Sequence, residues 1–291
     1  MSVPEKLWTI LAVLKWSADF LRGKGVEAAR HDAESLLGFA LGLSRLELYL
    51  RFDQPLTVPE RQTYKKYLQR RARREPLQYI TGEAYFLGEK FKATPAALIP
   101  RYDTEVLAET VLRQLTRAPH VLELIDVGAG SGILPVIFAL KSALRKIYAL
   151  DISKPALALA RENAQARGVA AKIEFLHSDL LTALIHQPVA EDIFLVSNPP
   201  YIAPAEYLQL APEVRDYEPR LALAAEDNGL FFYKKILAQA VMFGDRLKGV
   251  FFEVGYRQAA AVRGLLQTRF DQQAQTVQDL GGNDRVVYTL L

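Results

Sequence analysis

The sequence predicts an α/β fold: a mostly parallel sheet covered by helices and ended by an antiparallel hairpin, behind a small all-helical domain. Three observations carry this. From about residue 119, short apolar and β-branched runs alternate with helical segments, the pattern of a parallel sheet covered on both faces. A turn with glycines at alternate positions, Gly128–Gly132, follows the first of these runs, and polar groups end the later ones. Residues 1–75 instead show apolar side chains at three- and four-residue steps, the spacing of one helix face.

In the first 75 residues, Leu7, Ile10, Leu11 and Leu14 open the helical pattern, and Leu36, Leu37, Phe39, Ala40 and Leu43 continue it. Gly23, Gly25 and Gly42 punctuate it. Pro59 marks a new helix start, and that helix runs to about Arg74 with Lys65, Lys66, Arg70, Arg71, Arg73 and Arg74 along it. This region carries 14 Lys and Arg against 9 Asp and Glu, while the rest carries 22 against 24, so the basic excess is confined to the first quarter. The basic helix reads either as a docking surface for an acidic partner or as a solvated face whose other side packs through Tyr64, Tyr67 and Leu68. Residues 76–100 read as a β-hairpin linker. Tyr79-Ile80-Thr81-Gly82 and Tyr85-Phe86-Leu87-Gly88 to Phe91 alternate and carry turn glycines. The remaining residues, 101–291, form the α/β domain.

Within that domain the expected strands are Val121–Val127, Lys146–Leu150, Ile173–His177, Ile193–Val196 and Val250–Val254. Helices are expected at Ile133–Leu140, Pro155–Arg167, Leu230–Phe243 and Gln258–Arg269. Gln275–Leu280 and Arg285–Leu291 read as the closing hairpin, turned at Gly281-Gly282-Asn283-Asp284.

Composition narrows the function classes. There is no cysteine, hence no disulfide and no thiolate metal site. The four histidines show no HxH or HxxxH spacing, so no metal is expected. No apolar run reaches the ~18 residues of a membrane helix. The start, Met1-Ser2-Val3-Pro4-Glu5-Lys6, lacks the features of a signal or transit peptide. The expectation is a cytoplasmic protein acting as a monomer.

Two stretches carry chemistry. Asp126-Val127-Gly128-Ala129-Gly130-Ser131-Gly132 places a GxGxG turn between a strand and a helix, which permits close backbone approach to a ligand. Asp151 ends the second strand, 23 residues past Gly128, where a carboxylate can accept both hydroxyls of a ribose. Asp179 ends the third strand and could accept from an adenine amino group, with Leu180 lining the ring. Each acid alone reads equally as a turn residue. In order along three strand ends, they fit S-adenosylmethionine better than a dinucleotide. The second stretch is Ser197-Asn198-Pro199-Pro200-Tyr201, directly after the buried run Ile193–Val196. The prolines stop the strand, so Asn198 sits at its carboxyl end, where open α/β sheets bind ligands. A carboxamide offers one acceptor oxygen and two donor hydrogens and can grip an amino group. An amide nitrogen is a poor nucleophile, so an enzyme methylating one must align it and place acceptors on its N–H hydrogens. Asn198 and a carbonyl of the Pro199-Pro200 turn can do so, with Tyr201 stacked over the substrate.

These residues resemble the bacterial release-factor glutamine methyltransferases, the PrmC/HemK family. Further stretches carry the resemblance along the chain: Arg74–Glu83, Leu98–Glu105, Glu213–Leu223, Phe252–Tyr256 and Asp279–Val287. Three details depart from the family pattern: Tyr102 in place of a proline, Ala129 and Ser131 where threonine is common, and Ala225-Glu226 before Asp227 in place of a glycine pair. The resemblance implies a Rossmann-like class I methyltransferase domain behind a helical substrate-docking domain. It implies transfer of a methyl group from S-adenosylmethionine to the N5 of the glutamine in the Gly-Gly-Gln motif of class I release factors. The reaction centre maps to Asn198, Pro199, Pro200 and Tyr201. The cofactor contacts map to Gly128–Gly132, Asp151, Leu180 and Asn198, beside Asp179 from the strand-end reading.

Two alternatives use the same motif. One is methylation of a glutamine in a ribosomal protein. The other is methylation of an exocyclic amine in DNA or RNA, where Asn-Pro-Pro-Tyr serves flipped bases. The second lacks a recognisable target-recognition domain, and the slightly acidic α/β domain offers little for phosphate binding, so no stable nucleic-acid complex is expected.

Overall fold

The computed structural model describes residues 7–185, 189 and 191–291. The reading of Met1–Lys6 and the histidine at 186 lie outside the described residues. The chain divides into two compact units: Met1–Gly82 with Pro212–Tyr217, and Glu83–Ala211 with Glu218–Leu291.

The first unit is helical: α1 Ile10–Gly23, α2 Ala29–Leu41, α3 Arg45–Leu50, α4 Val58–Ala72 and α5 Leu77–Thr81. Its helix starts follow from the sequence. Thr9 caps α1 through its hydroxyl. Ser44 with Glu47, and Thr57 with Glu60, form reciprocal capping boxes at α3 and α4, each satisfying two otherwise orphan N–H groups. The apolar stripes meet in a core that includes Leu14, Leu21, Leu36, Leu37, Leu48, Tyr64 and Leu68. Of the basic side chains on and just after α4, Arg70 binds Glu75 through two nitrogens, at 2.8 and 2.5 Å. Arg71 reaches Asp32 at 2.7 Å and Glu213 at 3.2 Å, and Arg74 also binds Glu213. These three arginines serve as internal braces, whereas Lys65, Lys66 and Arg73 are exposed. One expected element differs. Tyr79–Gly82, read as part of the hairpin, forms the end of α5 and its cap. Pro76 sits at the amino-terminal cap, and Gly82 ends the helix at φ 74, the left-handed conformation that glycine adopts without strain.

The second unit opens with a hairpin, β1 Glu83–Phe86 and β2 Glu89–Lys92. Its two-residue turn has positive φ at both Leu87 and Gly88, matching the twist of the strands it joins. Next comes α6, Tyr102–Arg117, which the strand-helix alternation did not anticipate. The sheet strands are β3 Glu123–Val127, β4 Lys146–Asp151, β5 Ile173–His177, β6 Ile193–Ser197, β7 Leu247–Glu253, β8 Gln275–Gln278 and β9 Asp284–Leu290. The main helices between them are α7 Ile133–Lys141, α8 Lys154–Ala166, α11 Phe231–Ala240 and α12 Ala259–Phe270, with one-turn helices α9 Pro204–Tyr207 and α10 Pro212–Arg215, the latter within the first unit. The seven-stranded order is β5-β4-β3-β6-β7-β9-β8. The five strands β3 to β7 run parallel, and β9 and β8 close the edge antiparallel.

Side chains alternate between the sheet faces, as strand geometry requires. Leu124, Ile147, Phe194 and Phe251 face one core. Ile125, Tyr148, Leu195 and Phe252 face the other, against α11 and α12. The strand order reverses at the β3–β6 pair, where Val127 lies opposite Ser197. Among the described residues, no helix is long and apolar enough to cross a membrane.

Arg71 and Asp32 are only 7% and 6% exposed at their side chains. Removing one partner of such a buried pair leaves an uncompensated charge. Arg71→Ala is therefore expected to lower stability by about 3 kcal/mol, read as a shift in urea midpoint, whereas Lys65→Ala should change it by less than about 0.5 kcal/mol. Equal, small effects would show that Arg71 is not a brace.

Candidate active site

The carboxyl ends of β3 and β6 are hydrogen-bonded neighbours, so the segments that follow them leave the sheet side by side. After β3 the chain makes the glycine turn. Gly128, Gly130 and Gly132 all have positive φ, at 81, 55 and 81°, a conformation costly for residues with a Cβ. Backbone hydrogen bonds clamp the turn to β4: Gly128 and Ala129 N–H both donate to the Leu150 carbonyl, at 2.8 and 2.9 Å. After β6 comes Asn198, and a Cβ placed on Gly128 would lie 4.0 Å from its carbonyl oxygen. Ser197, fully buried, ties the two ends together by donating from Oγ to the Val127 carbonyl at 2.6 Å.

A cavity of about 290 Å³ opens over this junction. It gathers Gly128, Ala129, Gly130, Ser131, Asp151, Asp179, Leu180, Asn198, Pro199 and Pro200. Ten of the expected site residues, drawn from four strand ends, thus share one wall system. Two do not. Gly132 lies off the cavity at the start of α7, and a Cβ there would meet the Ala160 Cβ at 2.8 Å, so its contact is helix packing. Tyr201 also lies off the cavity wall, and its hydroxyl turns inward to donate to Glu253 Oε1 at 3.4 Å. Burial and the neighbouring Glu253 charge raise its phenol pKa, which keeps it a donor.

Several lining residues were not singled out from the sequence. The segment Ala96–Arg101 forms one wall, with Pro219, Leu221, Ala222, Phe232 and Ile236 on others. Glu218 fastens the first wall: its buried carboxylate accepts from the Ile99 N–H at 3.0 Å and from Arg101 at 2.5 Å. Thr104, in the first turn of α6, is buried and accepts from Asn198 Nδ2 at 3.2 Å. Leu98–Arg101, Thr104 and Glu218–Ala222 lie in stretches visible as family-like motifs, whereas Ala96, Ala97, Phe232 and Ile236 do not, and nothing in either group announced a wall.

The carboxyl groups differ in environment. Asp151 is held by two backbone donors, Gly130 N–H to Oδ2 and Ser153 N–H to Oδ1, each at 2.8 Å. Each oxygen keeps a lone pair for further donors. Burial raises its pKa, and those N–H groups oppose the rise. Asp126 on β3 is fully buried, with no hydrogen-bond partner for either oxygen among the described residues. Burial, then the Asp151 charge, pushes it up to about 8. Glu253 at the end of β7 is likewise buried, and desolvation pushes it up to about 7. The cavity thus offers strand-end carboxylates suited to hydroxyl or amino donors, a glycine cradle, and apolar walls from Val127, Leu134, Leu150 and Ile236. This set fits a nucleoside-bearing ligand.

Comparison with known proteins agrees with this architecture. A model of the PrmC N-terminal domain matches residues 12–82, and one of the methyltransferase small domain matches residues 102–213. The chain is 41% identical to the release factor glutamine methyltransferase of Geobacter sulfurreducens, over 99% of this chain and 98% of that one. Identity is 39% to the enzyme of the same name in Chlorobaculum tepidum, over 97% of each chain. For the Bacillus subtilis counterpart it is 34%, over 97% of this chain and 98% of that one. Among solved structures, the catalytic domain of human METTL16 with an RNA hairpin superposes with a TM-score of 0.55 at 16% identity, over 82% of each chain. That likeness concerns the fold alone.

The buried acids make a pH prediction with a definite sign. A folded-state carboxyl at about 8 keeps a proton that the unfolded chain loses above pH ~4. Stability contributed by neutral Asp126 is complete below that unfolded value and is lost as pH rises toward about 8, by up to roughly 1.4 kcal/mol per pH unit. Glu253 acts in the same direction up to about 7. Urea unfolding of the ligand-free chain at pH 5.5, 6.5 and 8 should show this fall, and Asp126→Asn should flatten it. An unchanged slope in that variant would contradict a neutral Asp126.

Proposed function

The chain belongs to the release factor glutamine methyltransferase family, and from that premise we propose that it methylates the side-chain amide nitrogen (N5) of the glutamine in the Gly-Gly-Gln motif of class I peptide-chain release factors. The carrying observation is the shared cavity at the β3–β6 junction, where the glycine turn and Asn198 stand side by side. S-adenosylmethionine supplies, when bound, a methyl group already activated by its sulfonium charge. Gly128, Ala129, Gly130 and Ser131 would hold it with Asp151, Asp179 and Leu180. The two Asp151 oxygens are fixed by Gly130 and Ser153, so a ribose would meet an aligned carboxylate.

Asn198 holds the acceptor amide. Its Nδ2 is engaged by Thr104, which leaves Oδ1 to accept an N–H of the glutamine. A carbonyl of the Asn198-Pro199-Pro200 turn takes the other, since neither proline has an N–H to offer. Two acceptors on the reacting nitrogen orient its lone pair and stabilise the positive charge that develops during transfer. No general base in the cavity is required, because the methylated amide loses a proton to solvent readily. The helical unit supplies the docking side for the release factor, with Lys65, Lys66 and Arg73 among its exposed cations. The chain acts as a monomer.

The test is methyl transfer from labelled S-adenosylmethionine to a class I release factor, its Gln-to-Ala variant, a glutamine-bearing ribosomal protein, and DNA or RNA. Label on the native factor alone is expected. Label on the Gln-to-Ala variant, or only on the other acceptors, would overturn the proposal. Asn198→Ala is expected to reduce kcat by about 100-fold or more while product binding, followed by calorimetry, changes less than about threefold. Native turnover in that variant would remove Asn198 from the reaction.

A further inference from the structure

The Asn198-Pro199-Pro200 turn has to be held from its ends. Neither proline has an N–H to anchor it, and one of its carbonyls is the acceptor assigned above to the substrate amide. The near end is fixed to the sheet by the Ser197 hydroxyl on the Val127 carbonyl, at 2.6 Å. The far end is Tyr201, where the chain leaves the cavity wall.

At that far end one side chain meets three loops. Gln258, half-buried at the amino-terminal cap of α12, donates from Nε2 to the Tyr201 carbonyl at 2.9 Å and to the Asn228 carbonyl at 3.3 Å. Its Oε1 accepts from the Gly255 N–H at 3.1 Å. A carboxamide has two donor hydrogens and one acceptor oxygen. These partners use both donors and fix the amide orientation, since two carbonyls face the nitrogen and an N–H faces the oxygen. The loop before α11 is bent to make this contact. Asp227, Asn228 and Gly229 all have positive φ, at 56, 52 and 82°, a costly conformation for the two that carry a Cβ. A Cβ on Gly229 would lie 2.2 Å from both the Tyr201 carbonyl oxygen and Gln258 Nε2, so only glycine allows this approach. Strain of this kind persists where its surroundings hold it. Here the Asn228 carbonyl is held by Gln258, and Asp227 by the Lys234 ammonium at 2.6 Å.

The corner that Gln258 grips leads into α11, whose Phe232 and Ile236 line the cavity. Just past Tyr201, the Ile202 N–H donates to the Leu223 carbonyl and the Ala225 N–H to the Ile202 carbonyl, each at 2.9 Å. Those partners directly follow the wall residues Pro219, Leu221 and Ala222. Tyr201 is thus where the reaction-centre turn is tied to two other parts of the cavity wall. Gln258 does not itself line the cavity, so it acts through Tyr201. We propose that Gln258 is a positioning residue for methyl transfer: by gripping the Tyr201 carbonyl it fixes the far end of the Asn198-Pro199-Pro200 turn, and with it the acceptors that align the substrate amide. What the reaction needs from Gln258 is its two Nε2 donors, rather than the bulk of the side chain. This inference rests on the role given above to Asn198 and its turn.

Two variants of one residue test it. Gln258→Glu keeps the shape and an oxygen for Gly255 but turns an acceptor toward two carbonyls. Gln258→Leu removes donors and acceptor alike. Both are expected to lower kcat on a class I release factor by about 10- to 100-fold, the scale of a displaced reacting group, while the Kd for S-adenosylhomocysteine, measured by calorimetry, stays within about threefold of native. The variants part at Gly255. Its amide should stay protected from hydrogen exchange in Gln258→Glu and exchange at least about tenfold faster in Gln258→Leu. A side chain that merely holds α12 in place would give losses that follow Gly255 protection or the urea midpoint, with Gln258→Glu near native. That pattern would overturn the proposal, as would native turnover in either variant or a loss confined to cofactor binding. A second readout does not need turnover. In the chain saturated with S-adenosylhomocysteine, the Tyr201 carbonyl ¹³C resonance should move upfield in both variants, because that carbonyl has lost its donor. An unmoved resonance would sink the clamp whatever the turnover. Absence of transfer by the native chain, with the resonance shifted in the variants, would sink the glutamine-methylation reading and leave the clamp standing.

Discussion

The β3–β6 pairing is the constraint on which the rest of the second unit depends. Parallel neighbours that lead away on opposite sides of a sheet leave a crevice at their carboxyl ends, because their crossover segments diverge. Here the register sets Val127 opposite Ser197, so the glycine turn and Asn198 start from the same level. The Ser197 hydroxyl holds Val127, and the positive-φ glycines let the turn fold back on β4. A one-residue slip in that pairing would exchange the faces of β6 and carry Asn198 away from the turn.

Around this junction the structure holds its acids in unlike settings. Asp151 is served by backbone N–H groups and opens on the cavity. Asp126 and Glu253 are shut in apolar surroundings that favour their neutral forms. Buried carboxyls of this kind reduce stability above neutral pH, so their retention in a core that would otherwise be apolar needs a local reason. For Glu253 one local partner is Tyr201, whose hydroxyl donates to Oε1 at 3.4 Å. Glu218 shows the opposite solution: its charge is matched by Arg101 and the Ile99 N–H, and it fastens a wall.

The fold was legible because its strands and helices have different periods and different ends. Five strands and four helices of the α/β domain emerged from apolar runs and helical spacing with small shifts at their ends. Two readings failed locally. Tyr79–Gly82 alternates like a strand, but Pro76 and Gly82 cap it as a short helix. Helix α6 lies before the strand-helix alternation begins, although Leu107, Val111 and Leu115 have helical spacing and all face the core. The basic helix is half resolved by charge pairing: three of its arginines are committed to carboxylates in Asp32, Glu75 and Glu213, two of them distant in sequence.

The sequence by itself determined the five parallel strands and the four main helices between them, the glycine turn, the strand-end acids and the amide with its stopping prolines, because each is written in local residue chemistry. It also determined the family, through motifs along the whole chain. Only the tertiary structure decided which of these groups share a cavity and which turn away. Gly132 serves the contact with Ala160, Tyr201 points inward to Glu253, and Thr104 stands behind Asn198 across 94 residues of chain. The physical reason is that hydrogen-bond direction depends on partners brought together by packing, and no local pattern records which donor will meet which acceptor.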